Sequence, residues 1–301
     1  MPPAFLETRS DIAWRAASPG MRGDLDGVTV TVRSRWWGKR WTVTSESAFP
    51  VPEPLLLFAS RKGMDHGFWR DYRIGDSAFD QRHFVFSDSP ALLPLILGPQ
   101  TRRAIGVKTR LDDALTLYVV GGVSRVSGTN HGDDTTAVAR HLDVHRALAQ
   151  DHEELMAAWT ALVTKVHGRA EPHWPPAGTL MNPVGALRLS LAWLPKDEDS
   201  LRTRLTGQDG RARARWSLRE AEPFEESNLE IGRRRMILVG NPSLPKPQLD
   251  QLVERGAIVS ISCASEVRVS VRGVATDTQL GNMVRVLEQV LKAPDSGTPY
   301  R

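Results

Sequence analysis

A pattern that begins near residue 79 returns near residue 231, and this internal repetition constrains the fold more than any other property of the chain. Phe84-Val85-Phe86-Ser87-Asp88-Ser89-Pro90 aligns with Met236-Ile237-Leu238-Val239-Gly240-Asn241-Pro242 at a constant offset of 152. Each segment is followed by an apolar helical stretch, two runs of alternating β-type residues and a longer helix. Shared element order with a shared Pro and turn is the mark of a tandem duplication. The fold class that follows is α+β: two related modules, each a small antiparallel sheet with covering helices, the first half carrying one long helix. Residues 27–168 and 184–293 form the two modules. Between them, 169–183 carries Pro172, Pro175, Pro176, Gly178 and Pro183 and predicts a linker, while 1–26 predicts a poorly ordered lead and 294–301 a disordered tail.

Within the first module, alternation predicts a hairpin of strands 28–33 and 41–44 around Trp36-Trp37-Gly38, an edge strand at 55–59, a strand at 79–86 and a strand pair at 105–108 and 115–120. The second module predicts strands at 186–191, 201–205, 212–218, 236–239, 258–263 and 267–271, with helices at 248–255 and 277–292.

The clearest helix spans 134–166, a stretch without Gly or Pro. Val138, His141, His145, Leu148, His152, Leu155, Trp159, Leu162 and Val166 recur at alternating intervals of three and four, a heptad seam that favours packing along a partner helix. At 1.5 Å per residue such a helix is about 50 Å long, against about 35 Å for a compact module of this size. It therefore overshoots its own half, and must cross to the other half, run beside helix 277–292 or meet a second copy of itself. His141 and His145, at i and i+4, can share an ion, but His152 lies about 10.5 Å further along the axis. Two ligands are too few for a structural zinc, so neither metal nor cofactor is expected. The seam histidines are expected to be neutral, with stability lost as pH falls below about 6.5.

Composition limits the remaining classes. At 301 residues the chain exceeds one ordinary domain, and its 41% hydrophobic and 25% charged content is that of a globular protein. The formal charge is only +4, with 32 Arg against seven Lys, a usage that suggests a GC-rich bacterial coding sequence. The single Cys263 excludes a disulfide framework. No apolar run approaches the roughly 20 residues that span a bilayer, and the first residues lack a signal-peptide core, so a cytoplasmic location without membrane association is expected.

Arg33, Arg35, Lys39 and Arg40 surround Trp36, Trp37 and Trp41, a pattern that suits either base stacking or an ordinary hairpin. Arg211, Arg213 and Arg215 fall at period two, with Glu220, Glu222, Glu225, Glu226 and Glu230 close by to neutralise them. Asn130-His131-Gly132-Asp133-Asp134 combines an imidazole with two carboxylates and also supplies an N-cap for the long helix. The chain has no phosphate loop, dinucleotide fingerprint, nucleophile elbow or His-Glu-x-x-His motif. The expected role is a non-catalytic binding or scaffold module, with a homodimer or another protein as partner through Val138, His141, His145, Leu148, His152, Leu155, Trp159 and Leu162. An enzyme with a site between the halves, lined by His131, Asp133 and residues 68–71, is the alternative. A nucleic-acid-binding protein using the Arg/Trp hairpin is the third reading.

Overall fold

The computed structural model describes residues 11–17, 20–34, 40–50, 56–62, 70–106, 115–131, 136–171, 176–183, 185–192, 202–208, 215–221, 224–240, 242 and 244–293. Residues 1–10 of the predicted lead, all of the tail, the Trp36-Trp37 turn and Asp133-Asp134 lie outside them. The chain divides into two compact units, residues 1–155 and 156–301.

In the first unit the strands are β1 (Arg15–Ala17), β2 (Gly20–Leu25), β3 (Val28–Ser34), β4 (Arg40–Ala48), β5 (Leu56–Arg61), β6 (His83–Ser87), β7 (Thr116–Val120) and β8 (Val123–His131). They form one antiparallel sheet in the order β1-β2-β3-β4-β8-β7-β5-β6. Helices α1 (Ser77–Arg82), α2 (Leu93–Ile96) and α3 (Pro99–Ile105) follow in the loops, and α4 (Ala137–Lys165) covers one face. The second unit contains β9 (Gly168–Glu171), β10 (Ala177–Asn182), β11 (Gly185–Ala192), β12 (Arg202–Gln208), β13 (Trp216–Glu220), β14 (Leu229–Ile231), β15 (Arg234–Val239), β16 (Ile258–Cys263) and β17 (Glu266–Arg272), with helices α5 (Lys246–Gly256) and α6 (Asp277–Lys292).

Read from β9, the second sheet runs β9-β10-β11-β12-β17-β16-β13-β15-β14. Apart from the added edge strand β14, each strand occupies the place its counterpart holds in the first sheet. A meander of four is joined to the last hairpin, which is joined to the two strands that precede the helical loop. Nonlocal pairing of β4 with β8, and of β12 with β17, closes each sheet. The offset of 152 relates β6 to β15 but falls to 143 between Ser124 and Val267, each the second residue of its returning strand, because the loops differ in length.

Several sequence-based boundaries change. Residues 15–25, assigned to the lead, form β1 and β2. The Pro-rich linker instead supplies β9 and β10, whose residues pair in register, Ala177 with Glu171 and Thr179 with Arg169. Prolines at 172, 175 and 176 fall between or before these strands, where no ladder donor is needed. The run at 79–86 is half helix: Asp76 accepts from the backbone N–H of Phe79 and starts α1, so the strand begins only at His83. Ile105 ends α3 instead of opening a strand. Alternation had mistaken a short capped helix for extended chain at both places.

The long helix is shared. Its residues through Leu155 belong to the first unit and those from Met156 to the second. Asp151, buried at 5% exposure, accepts from the backbone N–H groups of Gln100 at 3.1 Å and Thr101 at 2.7 Å, and so caps α3. A side chain at Gly98 would collide with that carboxylate. In the second unit the indole of Trp159 donates to the Ala177 carbonyl at 2.9 Å, and Lys165 pairs with Asp277 at the start of α6. Replacement of Asp151 by Ala leaves two buried N–H groups unpaired, and is expected to cost about 1 to 3 kcal/mol in urea unfolding. An unchanged midpoint would remove the cap from the account.

Candidate functional site

The inward faces of β4 and β8 meet the first turns of α4 in a core that is polar where an apolar one would serve. Ser45, Ser124, His141 and His145 are all at or below 5% exposure. Ser45 Oγ lies 2.8 Å from Nε2 of His145 and 3.2 Å from Nδ1 of His141, and Ser124 Oγ lies 3.0 Å from Nδ1 of His145. The Ser124 hydroxyl donates to the Ser47 carbonyl at 3.3 Å, which fixes the direction of the whole chain. Ser124 then accepts from Nδ1 of His145, whose Nε2 accepts from Ser45, and Ser45 accepts from Nδ1 of His141. Nε2 of His141 is buried with no hydrogen-bond partner among the described residues.

Burial keeps both rings neutral. It lowers the pKa of His141 to about 3, assisted by His145 and Arg140 and opposed by the Val126 backbone. Burial lowers that of His145 to about 4, opposed by the Ser45 backbone. Among the described residues no carboxylate faces either ring to reverse the sign. His152, further along, is half-buried with its ring edge-on to Phe49 at 5.6 Å, and burial lowers its pKa too.

The second unit shows what the fold itself requires here. Pairing places Ser45 opposite Val126 and Ser47 opposite Ser124, and the corresponding pairs are Leu205 with Val269 and Gly207 with Val267. Val138, His141, His145 and Leu148 are spaced as Leu280, Met283, Leu287 and Val290 are on α6. Ser45, Ser124, His141 and His145 thus correspond to Leu205, Val267, Met283 and Leu287, all buried and apolar. The same architecture closes without any polar group at these positions.

The outer faces differ as well. Across the first sheet Glu46 and Arg125 stand opposite one another and pair at 2.6 Å. They share with Tyr118 two adjoining hollows of about 370 and 410 Å³, one reaching Val120 and Val123, the other Thr31, Arg33 and Thr44. On the second sheet one row of facing residues reads Arg169, Thr179, Arg188, Thr206, Arg268, Ser262, Ser217, Val239. The next reads Glu171, Ala177, Ser190, Arg204, Ser270, Ser260, Arg219, Ile237. Arg268 pairs with Glu266 and Arg219 with Glu225, but Arg169, Arg188 and Arg204 have no carboxylate partner among the described residues. Burial and the neighbouring Arg268 and Arg202 push the Arg204 pKa down, the effect of positive charge without compensation.

Of the predicted seam, Val138, His141, His145 and Leu148 are buried within the first unit and Trp159 and Leu162 within the second. These six have little surface left to offer another helix; His152, Leu155 and Val166 keep partial exposure. His131 sits in the β8 ladder opposite Arg40, and Asp71 is committed to the Val85 N–H and to Lys62. Among the described residues no three His, Cys, Asp or Glu side chains could jointly hold a metal ion, and no helix is long and apolar enough to cross a membrane. The arginine face was legible in part, since Val267, Val269 and Val271 alternate with Arg268, Ser270 and Arg272. Ser45 and Ser124 carried no sequence signal.

No known protein family matches this chain, and no curated protein does. Among solved structures, that of the mycobacterial trehalose monomycolate transport factor A is similar over 52% of this chain and 79% of that one, at 13% identity and a TM-score of 0.31. So slight a likeness carries no argument about function.

Depressed histidine pKa values make the unfolded chain bind more protons below pH 6.5, so their stabilisation is full above that value and lost as pH falls towards 4. Both rings together should remove about 3 kcal/mol between pH 7 and pH 5. The fourfold variant S45L/S124V/H141M/H145L, which copies the second unit, should fold and lose that dependence. H145L alone takes one hydrogen-bond partner from each of two buried serines and should cost about 1 to 3 kcal/mol at pH 7. Urea unfolding across pH checks both; equal pH slopes in the fourfold variant and the parent would sink the assignment.

Proposed function

We propose that this chain is a non-catalytic binding or scaffold protein made by tandem duplication, and that the open face of its second sheet receives an acidic segment of a partner protein. The duplication is supported by the matching strand order of the two sheets, and by the common three-four-three spacing of the helix residues that cover them. A single observation carries the recognition surface: two rows that cross the sheet hold five arginines against one glutamate. Three of those guanidiniums lack a carboxylate among the described residues, and Arg204 is only partly exposed. Incoming carboxylates would relieve that repulsion and form charge-assisted, bidentate hydrogen bonds. Six partly exposed Ser and Thr residues in the same rows add small hydroxyl donors without raising the surface. The rows contain no aromatic ring on which a base could stack, which favours a protein over a single-stranded nucleic acid. A cytoplasmic bacterial setting belongs to this reading.

A fluorescent poly-glutamate peptide should bind with an affinity that falls as salt rises, and R188E/R204E should weaken it at least tenfold, about 1.4 kcal/mol. Anisotropy with that peptide and with an oligothymidine of equal charge decides the matter. Tighter binding of the oligonucleotide would overturn the partner class, and no effect of R188E/R204E would overturn the surface.

A further inference from the structure

A hollow of about 400 Å³ in the first unit lies between α1 and α3, with Phe79, Arg82, His83, Arg102, Arg103 and Gly106 among its lining. Its acidic groups are already committed. Asp76, also at the wall, holds Arg102 at 3.3 Å and accepts from the Phe79 N–H at 3.1 Å. Asp80 accepts from the backbone of Ile74 and Gly75, and Asp71 pairs with Lys62. Arg82 and Arg103 are left with no carboxylate partner among the described residues, and both border the same space.

His83 forms the second half of the site. Its side chain is only 6% exposed, its ring stacks on Phe79 with centroids 4.1 Å apart, and its Nδ1 donates to the Phe79 carbonyl at 3.2 Å. That bond fixes the tautomer, so Nε2 carries a lone pair, and no described residue donates to it. The site therefore offers two guanidiniums for anionic oxygens and, beside them, one acceptor that needs a hydroxyl. Sulfate and carboxylates bring the oxygens without the hydroxyl. A monoprotonated phosphate brings both, and the volume is at the scale of a small ligand.

We propose that this hollow binds a phosphomonoester, with its anionic oxygens on Arg82 and Arg103 and its P–OH donated to Nε2 of His83. The charges around His83 are Arg61 and Lys62 at the end of β5, Arg82 on α1 and Arg102 and Arg103 on α3, with Asp76 and Asp80 as the counter-charges. Burial first, and then Arg61, Arg82 and Lys62, lower the pKa of the free ring, against the Phe79 backbone. The bound anion opposes that field.

The test is NMR of ring-labelled histidine in the full chain, with the His83 signal assigned through H83Q. Inorganic phosphate at millimolar concentration should shift that signal saturably and raise the His83 pKa by about one unit. R82A/R103A, if its amide spectrum remains that of the folded chain, should weaken binding at least tenfold, and sulfate should bind at least tenfold more weakly than phosphate. Free phosphoserine binding as tightly as a phosphoserine peptide marks a small-molecule site, whereas a preference for the peptide marks a phosphoprotein one; either supports the proposal. No saturable shift, equal binding of sulfate, or indifference to R82A/R103A would overturn it.

Discussion

In each module the strand that ends the first meander pairs with the strand that ends the last hairpin, and everything else is built on that ladder. Until β4 meets β8, the first sheet is two separate four-stranded pieces. Once they pair, residues about eighty positions apart in the chain stand opposite one another, and a continuous inner face exists for the helix to cover. β12 and β17 do the same for the second sheet. The ladder is long-range, so its loop-closure entropy has to be met by the hydrophobic burial it permits.

The second sheet, of like strand order, supplies a comparison within the same chain. Leu205, Val267, Met283 and Leu287 close one core by ordinary apolar packing, while Ser45, Ser124, His141 and His145 close the other by a directed hydrogen-bond chain. The polar version costs the desolvation of six polar atoms and leaves one imidazole nitrogen bare. It also makes the first core respond to protons where the second does not. A difference of this kind between two like frames cannot be assigned to the demands of the fold.

The outer faces differ just as far. One carries a neutralised Glu46–Arg125 pair flanked by Tyr118, the other a field of guanidinium groups set among small hydroxyls. Inner positions are held by packing, so volume limits what can replace them. Outer positions are limited only by solubility and by what they meet. Two sheets of like strand order can therefore carry different surface chemistry without disturbing either core.

Strand and helix periodicity determined much of this protein by itself. The limits of α6 at 277 and 292, the existence of α4, the strands at 258–263 and the α+β class all follow from local alternation and heptad spacing, because those patterns need only neighbouring residues to be expressed. Neutrality of the seam histidines also followed, since a residue on a helical seam is buried whatever covers it. The tertiary structure decided the rest. It turned the Pro-rich linker into β9 and β10, put the α4 seam inside the chain's own units, and chose Ser45 and Ser124 as partners for His145. It likewise brought Arg82, His83 and Arg103 around one hollow. Each of those outcomes depends on pairing between distant strands or on loops folding back, and no local period in a sequence encodes which distant residue will stand opposite.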